Sequence, residues 1–215
     1  MPANQPFAEY ASIPTYSRHP KPATGEDGFF AETLASSITI PSVCTLRLIR
    51  LQSPLPSLPP AWPSPTAPPH PIPVPGADLL MILQLASPGV CGHPETAHGG
   101  VLATVLDEAM SLGVSLYAPE AGEQQTPDPV RTVHAAGGSA SESRRRIRSK
   151  MFTAQLDVRY KRPVSVPMEI QARVQVLAKQ GKKVWVRAQI VQRDEIMVDA
   201  MAFWLLTAPS GKSVL

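Results

Sequence analysis

The C-terminal third of the chain alternates between apolar and polar residues, which is the pattern of half-buried strands. In the stretch FTAQLDVRY, the alternation places Phe152 with Leu156 on one face and Thr153 with Asp157 on the other. Similar alternation follows in MEIQARVQVLA, KKVWVRAQIVQ and IMVDAMAFWLL, with turn signals at Gln180–Gly181 and Arg193–Glu195. Because strands joined by short turns pair antiparallel, this region predicts an antiparallel sheet.

The stretch Ala97–Tyr117 predicts one helix that is apolar on nearly every side. Asp107 and Glu108 lie side by side in its middle, where an unpaired charge is costly. The helix begins near Gly99 and Gly100, which suit a close approach of backbone N–H groups to a ligand. This combination indicates a candidate site, the alternative being a core helix whose acids reach solvent. With the strands it predicts an α+β fold, a long central helix wrapped by an antiparallel sheet.

Composition divides the chain into segments. We expect residues 1–52 to form an N-terminal arm with a short helix at FFAETL. Residues 53–76 hold eleven prolines and predict an extended linker or insert, the alternative being a ligand for a proline-binding partner. Residues 77–208 are predicted to form the main domain, which starts with a strand in ADLLMILQLAS. Within it we expect a flexible insert at 119–149, and residues 209–215 form a tail.

Charge and cysteine usage narrow the class of protein. The net charge of +3 does not require nucleic acid, and it suits an anionic substrate. Cys44 and Cys91 lie far apart, so we expect two reduced thiols. The first residues lack the apolar segment of a secretory signal, and no apolar run approaches the roughly 20 residues of a membrane-spanning helix. We therefore expect a cytoplasmic protein with no membrane span, no nucleic-acid partner, no metal and no cofactor.

The motif HGG followed by ATVLDEAM closely resembles the hotdog-fold acyl-CoA thioesterases of the phenylacetate-pathway (PaaI-like) type. LDVRYKRPV, GKKVWVRAQIV and IMVDAMAFWLL resemble strands of that family, so the resemblance covers Leu79 to Thr207. It implies a hotdog thioesterase domain over residues 77–208. It also implies hydrolysis of an acyl-CoA, or of an acyl group on a carrier protein's phosphopantetheine arm. The arm and the proline-rich stretch resemble fungal-type members, some of which act in biosynthetic, secondary-metabolite pathways.

Thioester hydrolysis needs donors for the oxyanion and a carboxylate that activates water or attacks the carbonyl itself. The N–H of Gly99 or Gly100, at the start of a helix, can supply the donor. The resemblance assigns the carbonyl-polarising role to Gly99 and the role of base or nucleophile to Asp107. These two residues are eight positions apart, so they lie about 12 Å apart along one helix. One carbonyl cannot contact both from one chain, which predicts a homo-oligomer with the site at the subunit interface. The resemblance implies the same, as a dimer or tetramer.

The resemblance also implies roles for other residues. His98 helps to fix the loop and the substrate, and Thr153 stands where relatives carry a serine that holds the attacking water. Some relatives place an asparagine six residues before the histidine, where this chain has Gly92 and a neighbouring His93 that can substitute. The run SRRRIRSK is either a solvated loop or a clamp for the coenzyme A phosphates formed by Arg144, Arg145 and Arg146.

The sequence is also compatible with two other functions. One is another hotdog enzyme, a dehydratase or hydratase acting on acyl thioesters, although its histidine–acid pattern is not visible. The other is a non-catalytic binding or scaffold protein, which the presence of Asp107 argues against. We interpret Glu108 as a structural charge or a charge at the rim of the site.

Overall fold

A computed structural model describes residues 7–118 and 150–207. In these residues the main sheet has seven antiparallel strands in the order β1-β2-β3-β7-β8-β9-β6. Its strands are β1 (Tyr10–Ile13), β2 (Ser42–Leu48), β3 (Leu79–Leu85), β6 (Met151–Tyr160), β7 (Met168–Gln180), β8 (Lys183–Gln192) and β9 (Glu195–Leu206). A small second sheet pairs β4 (Cys91–His93) with β5 (Thr96–Ala97), immediately before helix α1 (Gly99–Ser115).

The predicted hairpins of the C-terminal region are present. The turn between β7 and β8 contains Gly181. The turn between β8 and β9 is made by Arg193 and Asp194, whose φ angles are 51° and 61°. Two successive residues with positive φ match the twist of a tight hairpin. The antiparallel sheet and its short connections are therefore as the alternation predicted.

Helix α1 lies on one face of the sheet, which we call the inner face. The even-numbered residues of β8, from Val184 to Ile190, are fully buried against it. The alternating positions of β9 from Val198 to Leu206 join the same core. On the helix, the buried residues include Val105, Leu106, Ala109 and Met110. One helix packed on an antiparallel sheet is the predicted α+β layout.

The segment before β3 extends the sheet and covers part of its inner side. Strand β2 pairs with β3, and β1 pairs with β2. Between β1 and β2 the chain contains a helical turn of the π type, Phe29–Thr33. Phe30 from this turn is 3% exposed and belongs to the main core, whereas Phe29 is 59% exposed. The phenylalanine pair therefore packs only one of its two rings into the domain.

The proline-rich residues Ser53–Gly76, which we call the proline strap, contain no helix or strand. Leu55 near the start of the strap packs against the main core, and the strap then runs over the outer face of the sheet, opposite α1. Ile72 is fully buried beside Tyr10 and Leu80, and Trp62 packs against a second outer cluster. Composition alone did not predict this packing, since the strap has no periodic pattern of apolar residues.

Strand β6 departs from the predicted alternation. Its register against β9 shifts between Thr153 and Gln155, where Thr153 pairs with Trp204 and Gln155 with the next residue, Phe203. Such a bulge puts two successive odd-numbered positions on opposite faces. The prediction that Thr153 shares a face with Asp157 was therefore wrong, and Thr153 faces α1 instead.

Candidate active site

His98 fixes the start of helix α1. It is the N-cap residue, with an extended backbone (φ −66°, ψ 133°), and its Nδ1 accepts a hydrogen bond from the Gly100 N–H at 3.0 Å. A neutral imidazole that accepts at Nδ1 carries its proton on Nε2. The Gly100 N–H is thus already engaged. Gly99, as the first helical residue, has an N–H without a partner inside the helix, which favours it as the oxyanion donor.

Tyr160 holds Gly99 from the end of β6. Its hydroxyl donates to the Gly99 carbonyl oxygen at 2.8 Å. A Cβ at position 99 would lie 3.3 Å from the Tyr160 ring, so the ring and an alanine would compete for the same space. Burial raises the pKa of Tyr160, which keeps the hydroxyl neutral and able to donate. Sequence reasoning missed this contact; the available signal was the aromatic residue that ends the strand after the helix.

Asp107 and Thr153 are brought together by α1 and β6. The Thr153 hydroxyl donates to Asp107 Oδ1 at 2.7 Å. This bond depends on the β6 bulge, which turns Thr153 towards the helix. A carboxylate that accepts one hydroxyl at Oδ1 keeps lone pairs for a water molecule or a substrate. The pair therefore has the geometry of a positioned base or nucleophile.

An open cleft of about 550 Å³ contains Asp107 and Thr153. The helix contributes Ala103, Thr104 and Glu108 to its lining, and β6 contributes Leu156. The remaining wall is supplied by the segment before β2, through Asp27, Phe29 and Phe30. Burial raises the pKa of the Glu108 carboxyl. Glu108 is thus part of the cleft lining, and sequence reasoning did not assign Asp27 or Phe29 to the site.

The remaining predicted site residues are not gathered around Asp107. His93 is exposed on β4, and no hydrogen bond of its side chain is found in the described part of the chain. A Cβ at Gly92 would lie 3.0 Å from the His98 Cα, so the asparagine of some relatives would crowd His98 here. The proposed phosphate clamp, Arg144, Arg145 and Arg146, lies outside the described residues.

Two further observations concern metals and membranes. Among residues 7–118 and 150–207, no group of three or more His, Cys, Asp or Glu side chains is placed to hold a metal ion. In the same residues, no helix has the length and apolarity needed to cross a lipid bilayer.

Comparison with known proteins agrees with the fold. Residues 95–198 match the family model of the Thioesterase superfamily. Over this segment the chain is similar to the thioesterase superfamily, and the sheet with its central helix is the hotdog fold. No curated protein matches the chain.

The chain is similar to several solved structures at low sequence identity. One is the phenylacetic acid degradation protein PaaI from Thermus thermophilus, at 13% identity, 60% of this chain, 84% of that chain and a TM-score of 0.43. Another is a hypothetical thioesterase from Streptococcus pneumoniae with coenzyme A, at 13% identity, 61% and 79% coverage and a TM-score of 0.43. A protein from Bacillus halodurans with CoA has 18% identity, 59% and 66% coverage and a TM-score of 0.41.

Proposed function

We propose that the protein is a thioester hydrolase that cleaves an acyl-CoA, or an acyl group on a carrier protein, to the free acid and the thiol. The observation that carries the proposal is the hydrogen bond between Thr153 and Asp107 inside the cleft of a thioesterase-superfamily domain. Helix α1 carries a positioned carboxylate, and its first N–H has no hydrogen-bond partner in the part of the chain that the structure describes, so it offers both groups that thioester hydrolysis needs.

In the proposed reaction, the Gly99 N–H donates to the thioester carbonyl oxygen and stabilises its negative charge as the tetrahedral intermediate forms. Asp107 either takes a proton from the attacking water or attacks the carbonyl carbon itself, giving an anhydride that water then opens. In both routes the C–S bond breaks, the sulfur leaves as a thiol and the acyl group gains the oxygen of water. Thr153 orients the Asp107 carboxylate, His98 caps the helix by accepting from the Gly100 N–H, and Tyr160 holds Gly99 through its carbonyl oxygen.

We further propose that the site forms between two copies of the chain. Gly99 and Asp107 belong to one continuous helix and lie about 12 Å apart along its axis. In the described residues, β6 pairs with β9 on one edge and with no strand on the other. Phe152 and Tyr160 on this strand are 54% and 51% exposed. An open edge with exposed aromatic rings, beside Thr153, favours pairing with a second copy.

Finer assignments extend this proposal. We propose that Arg144, Arg145 and Arg146 pair with coenzyme A phosphates, and that Gly100 and His93 contribute to substrate binding. A PaaI-like, fungal-type enzyme of a biosynthetic pathway is the subtype that the sequence resemblance favours.

The decisive experiment measures free thiol release from acyl-CoA and acyl-pantetheine thioesters by the wild-type protein and by Asp107→Asn. The asparagine is nearly isosteric but cannot act as a base or stable nucleophile, so we expect turnover to fall at least about 100-fold. Matching thermal midpoints of the two proteins exclude unfolding as the cause. Full activity in Asp107→Asn, or no hydrolysis of any thioester by the wild type, would refute the proposal.

Mixing two inactive variants tests the shared site. The methyl group that Gly99→Ala adds would crowd the Tyr160 ring and hinder the approach of the thioester carbonyl to the N–H of residue 99. We therefore expect this variant to be inactive alone. A mixed dimer of Gly99→Ala and Asp107→Asn carries both lesions in one site and none in the other. Random exchange should therefore restore about a quarter of wild-type activity for a two-fold symmetric dimer. No recovery after confirmed exchange would place both residues in one site of one chain.

A further inference from the structure

The cleft around Asp107 has a wall that the matched thioesterase segment does not supply. The family model covers residues 95–198, whereas Asp27, Phe29 and Phe30 precede it by more than sixty positions. These residues lie in the connection between β1 and β2, which folds over the inner side of the sheet. This chain therefore adds a surface of its own to the cleft.

Arg18 fastens this connection to the domain. One nitrogen of its guanidinium, Nη1, donates to the carbonyl oxygens of Phe30 and Leu34 at 3.0 and 3.3 Å, and the other, Nη2, donates to Ile40. Its guanidinium carbon also lies 5.3 Å from the centre of the Phe30 ring. Since Phe30 is held in the core, the adjacent Phe29 is left with 59% of its surface exposed in the cleft. Phe29 is thus presented by a fixed backbone.

The polar groups of this part of the cleft are mostly acidic. Asp27, Asp107 and Glu108 all line it. Lys21 forms an ion pair with Asp27, and its Nζ lies 3.8 Å from the Glu26 Oε2. Its positive charge is therefore shared between two carboxylates at the edge of the cleft. Among residues 7–118 and 150–207, the cleft lining offers no free cation to a second negative charge that a ligand would bring in, so that charge would face these carboxylates. Like charges set against each other in a partly desolvated site strongly disfavour binding.

We infer that the wall formed by Asp27, Phe29 and Glu108 recognises the acyl group and selects acyl groups that end in an uncharged, apolar tail over those that end in a carboxylate. The apolar tail packs against Phe29 and Leu156, and a terminal carboxylate is repelled by Asp27 and Glu108. This inference rests on the proposed thioester hydrolysis, to which it adds the substrate class.

The test compares hexanoyl and glutaryl thioesters, which have acyl groups of similar length but differ in the terminal charge. Each is presented on coenzyme A and on pantetheine, because coenzyme A and carrier proteins share that arm. We expect the wild-type kcat/KM to favour hexanoyl over glutaryl at least about 30-fold. Glu108→Gln should narrow this ratio by about tenfold. Glu169→Gln, which makes the same change on an exposed carboxylate of β7 outside the cleft, should leave the ratio unaltered.

A second pair of variants tests the apolar contact. Phe29→Ala should lower kcat/KM for the hexanoyl thioester by roughly tenfold and leave the acetyl thioester, which is too short to reach the ring, nearly unaffected. Phe7→Ala removes another exposed ring, 40% accessible and outside the cleft, and should change neither value. Equal use of hexanoyl and glutaryl by the wild type, or equal effects of the cleft variants and their controls, would overturn the inference while leaving thioester hydrolysis intact.

Binding of non-hydrolysable thioethers separates this inference from the proposed function. S-hexyl-CoA and S-(4-carboxybutyl)-CoA have the same tails as the two thioesters and can be titrated calorimetrically against the wild-type protein and Phe29→Ala. Tighter binding of S-hexyl-CoA, weakened by Phe29→Ala and not by Phe7→Ala, supports the inference even if no thioester is hydrolysed. Equal binding of both compounds, or binding of neither, would overturn it.

Discussion

The two faces of the main sheet are buried in different ways. The inner face is covered by a regular element, α1, whose own backbone hydrogen bonds are satisfied within the helix and whose apolar side chains fill the core. The outer face is covered by the proline strap, which has no internal hydrogen-bond ladder. A backbone buried without such a ladder must find its partners elsewhere.

Side chains of the sheet provide those partners. Arg187 and Gln189 both donate to the His70 carbonyl oxygen, at 2.6 and 2.8 Å, and the Gln189 Oε1 accepts from the Ile72 N–H at 2.8 Å. Arg173 donates to the Ile72 carbonyl oxygen and Arg159 to that of Ser64, both at 3.2 Å. The outer face thus uses long polar side chains to satisfy an irregular backbone, whereas the inner face leaves its polar residues, Asp107 and Thr153, to line a cleft.

Asp199 balances the arginines beneath the strap and is fully buried. Its carboxylate pairs with Arg159 and with Arg187, and it also accepts from Gln189. Asp199→Ala leaves two cations beneath the strap without a counter-charge, so we expect a loss of about 3–5 kcal/mol in the free energy of unfolding, measured by denaturant titration. Glu169→Ala, an exposed carboxylate, is the control and should change stability by less than about 0.5 kcal/mol. Similar small losses in both variants would show that the buried network does not stabilise the outer face.

Ile72 anchors the strap and is fully buried on the outer face. Ile72→Ala should lower the free energy of unfolding by about 3 kcal/mol through lost transfer energy and a cavity. Leu58→Ala on the same strap, where the side chain is 77% exposed, should change it by less than about 0.5 kcal/mol. Turnover per folded molecule should stay unchanged in both, because the strap and Asp107 lie on opposite faces. A fall in turnover beyond the unfolded fraction would show that the outer face shapes the site.

On the inner face, we expect the reverse: substitution of Thr153 should lower activity and leave stability nearly unchanged. Thr153→Val keeps the shape of the side chain but removes the bond that orients the Asp107 carboxylate, so we expect kcat to fall about tenfold, which corresponds to about 1.4 kcal/mol in the activation free energy. Thr153→Ser keeps the hydroxyl and should retain most of the activity. The thermal midpoint of each variant gives its stability, which should change little. Equal activities in the valine and serine variants would exclude a role for the hydroxyl.

Glu108 should give the smallest effect, a pH dependence of acyl selectivity. Burial raises the pKa of its carboxyl above the ordinary range, with Asp27, Asp107 and Lys21 as the charged groups that face it. The carboxyl is neutral below that raised pKa and negative above it. The glutaryl to hexanoyl ratio of kcat/KM should therefore fall a few-fold as pH rises through that raised pKa. In Glu108→Gln the ratio should not change with pH; an identical slope in both proteins would assign the effect to another group.

The local patterns of the chain predicted its regular elements well. Alternation placed β7, β8 and β9 and their turns, and the apolar run with its HGG start placed α1. The same run identified Asp107 as the carboxylate inside a buried helix. The arrangement of β6 escaped prediction, because a bulge changes the face of Thr153 without changing the composition of the strand.

The N-terminal contributions to the cleft were also not predictable from local pattern. The FFAETL stretch indicated a short helix against the domain, but not that Phe30 alone would enter the core while Phe29 lined the cleft. That division depends on Arg18, which binds the Phe30 carbonyl from twelve positions earlier in the chain. Likewise, nothing local to Tyr160 shows that its hydroxyl meets Gly99, sixty-one positions away.

By itself the sequence determined the helix, the hairpins and the identity of the carboxylate at their junction, because each follows from periodicity and turn chemistry within a few residues. Only the tertiary structure decided that the proline strap forms a packed layer, that the β6 bulge turns Thr153 to Asp107, and that Phe29 lines the cleft. The physical reason is that these features are set by contacts between distant parts of the chain. The bond from the Ile72 N–H to Gln189 spans 117 positions, and no local pattern of residues encodes such a partner.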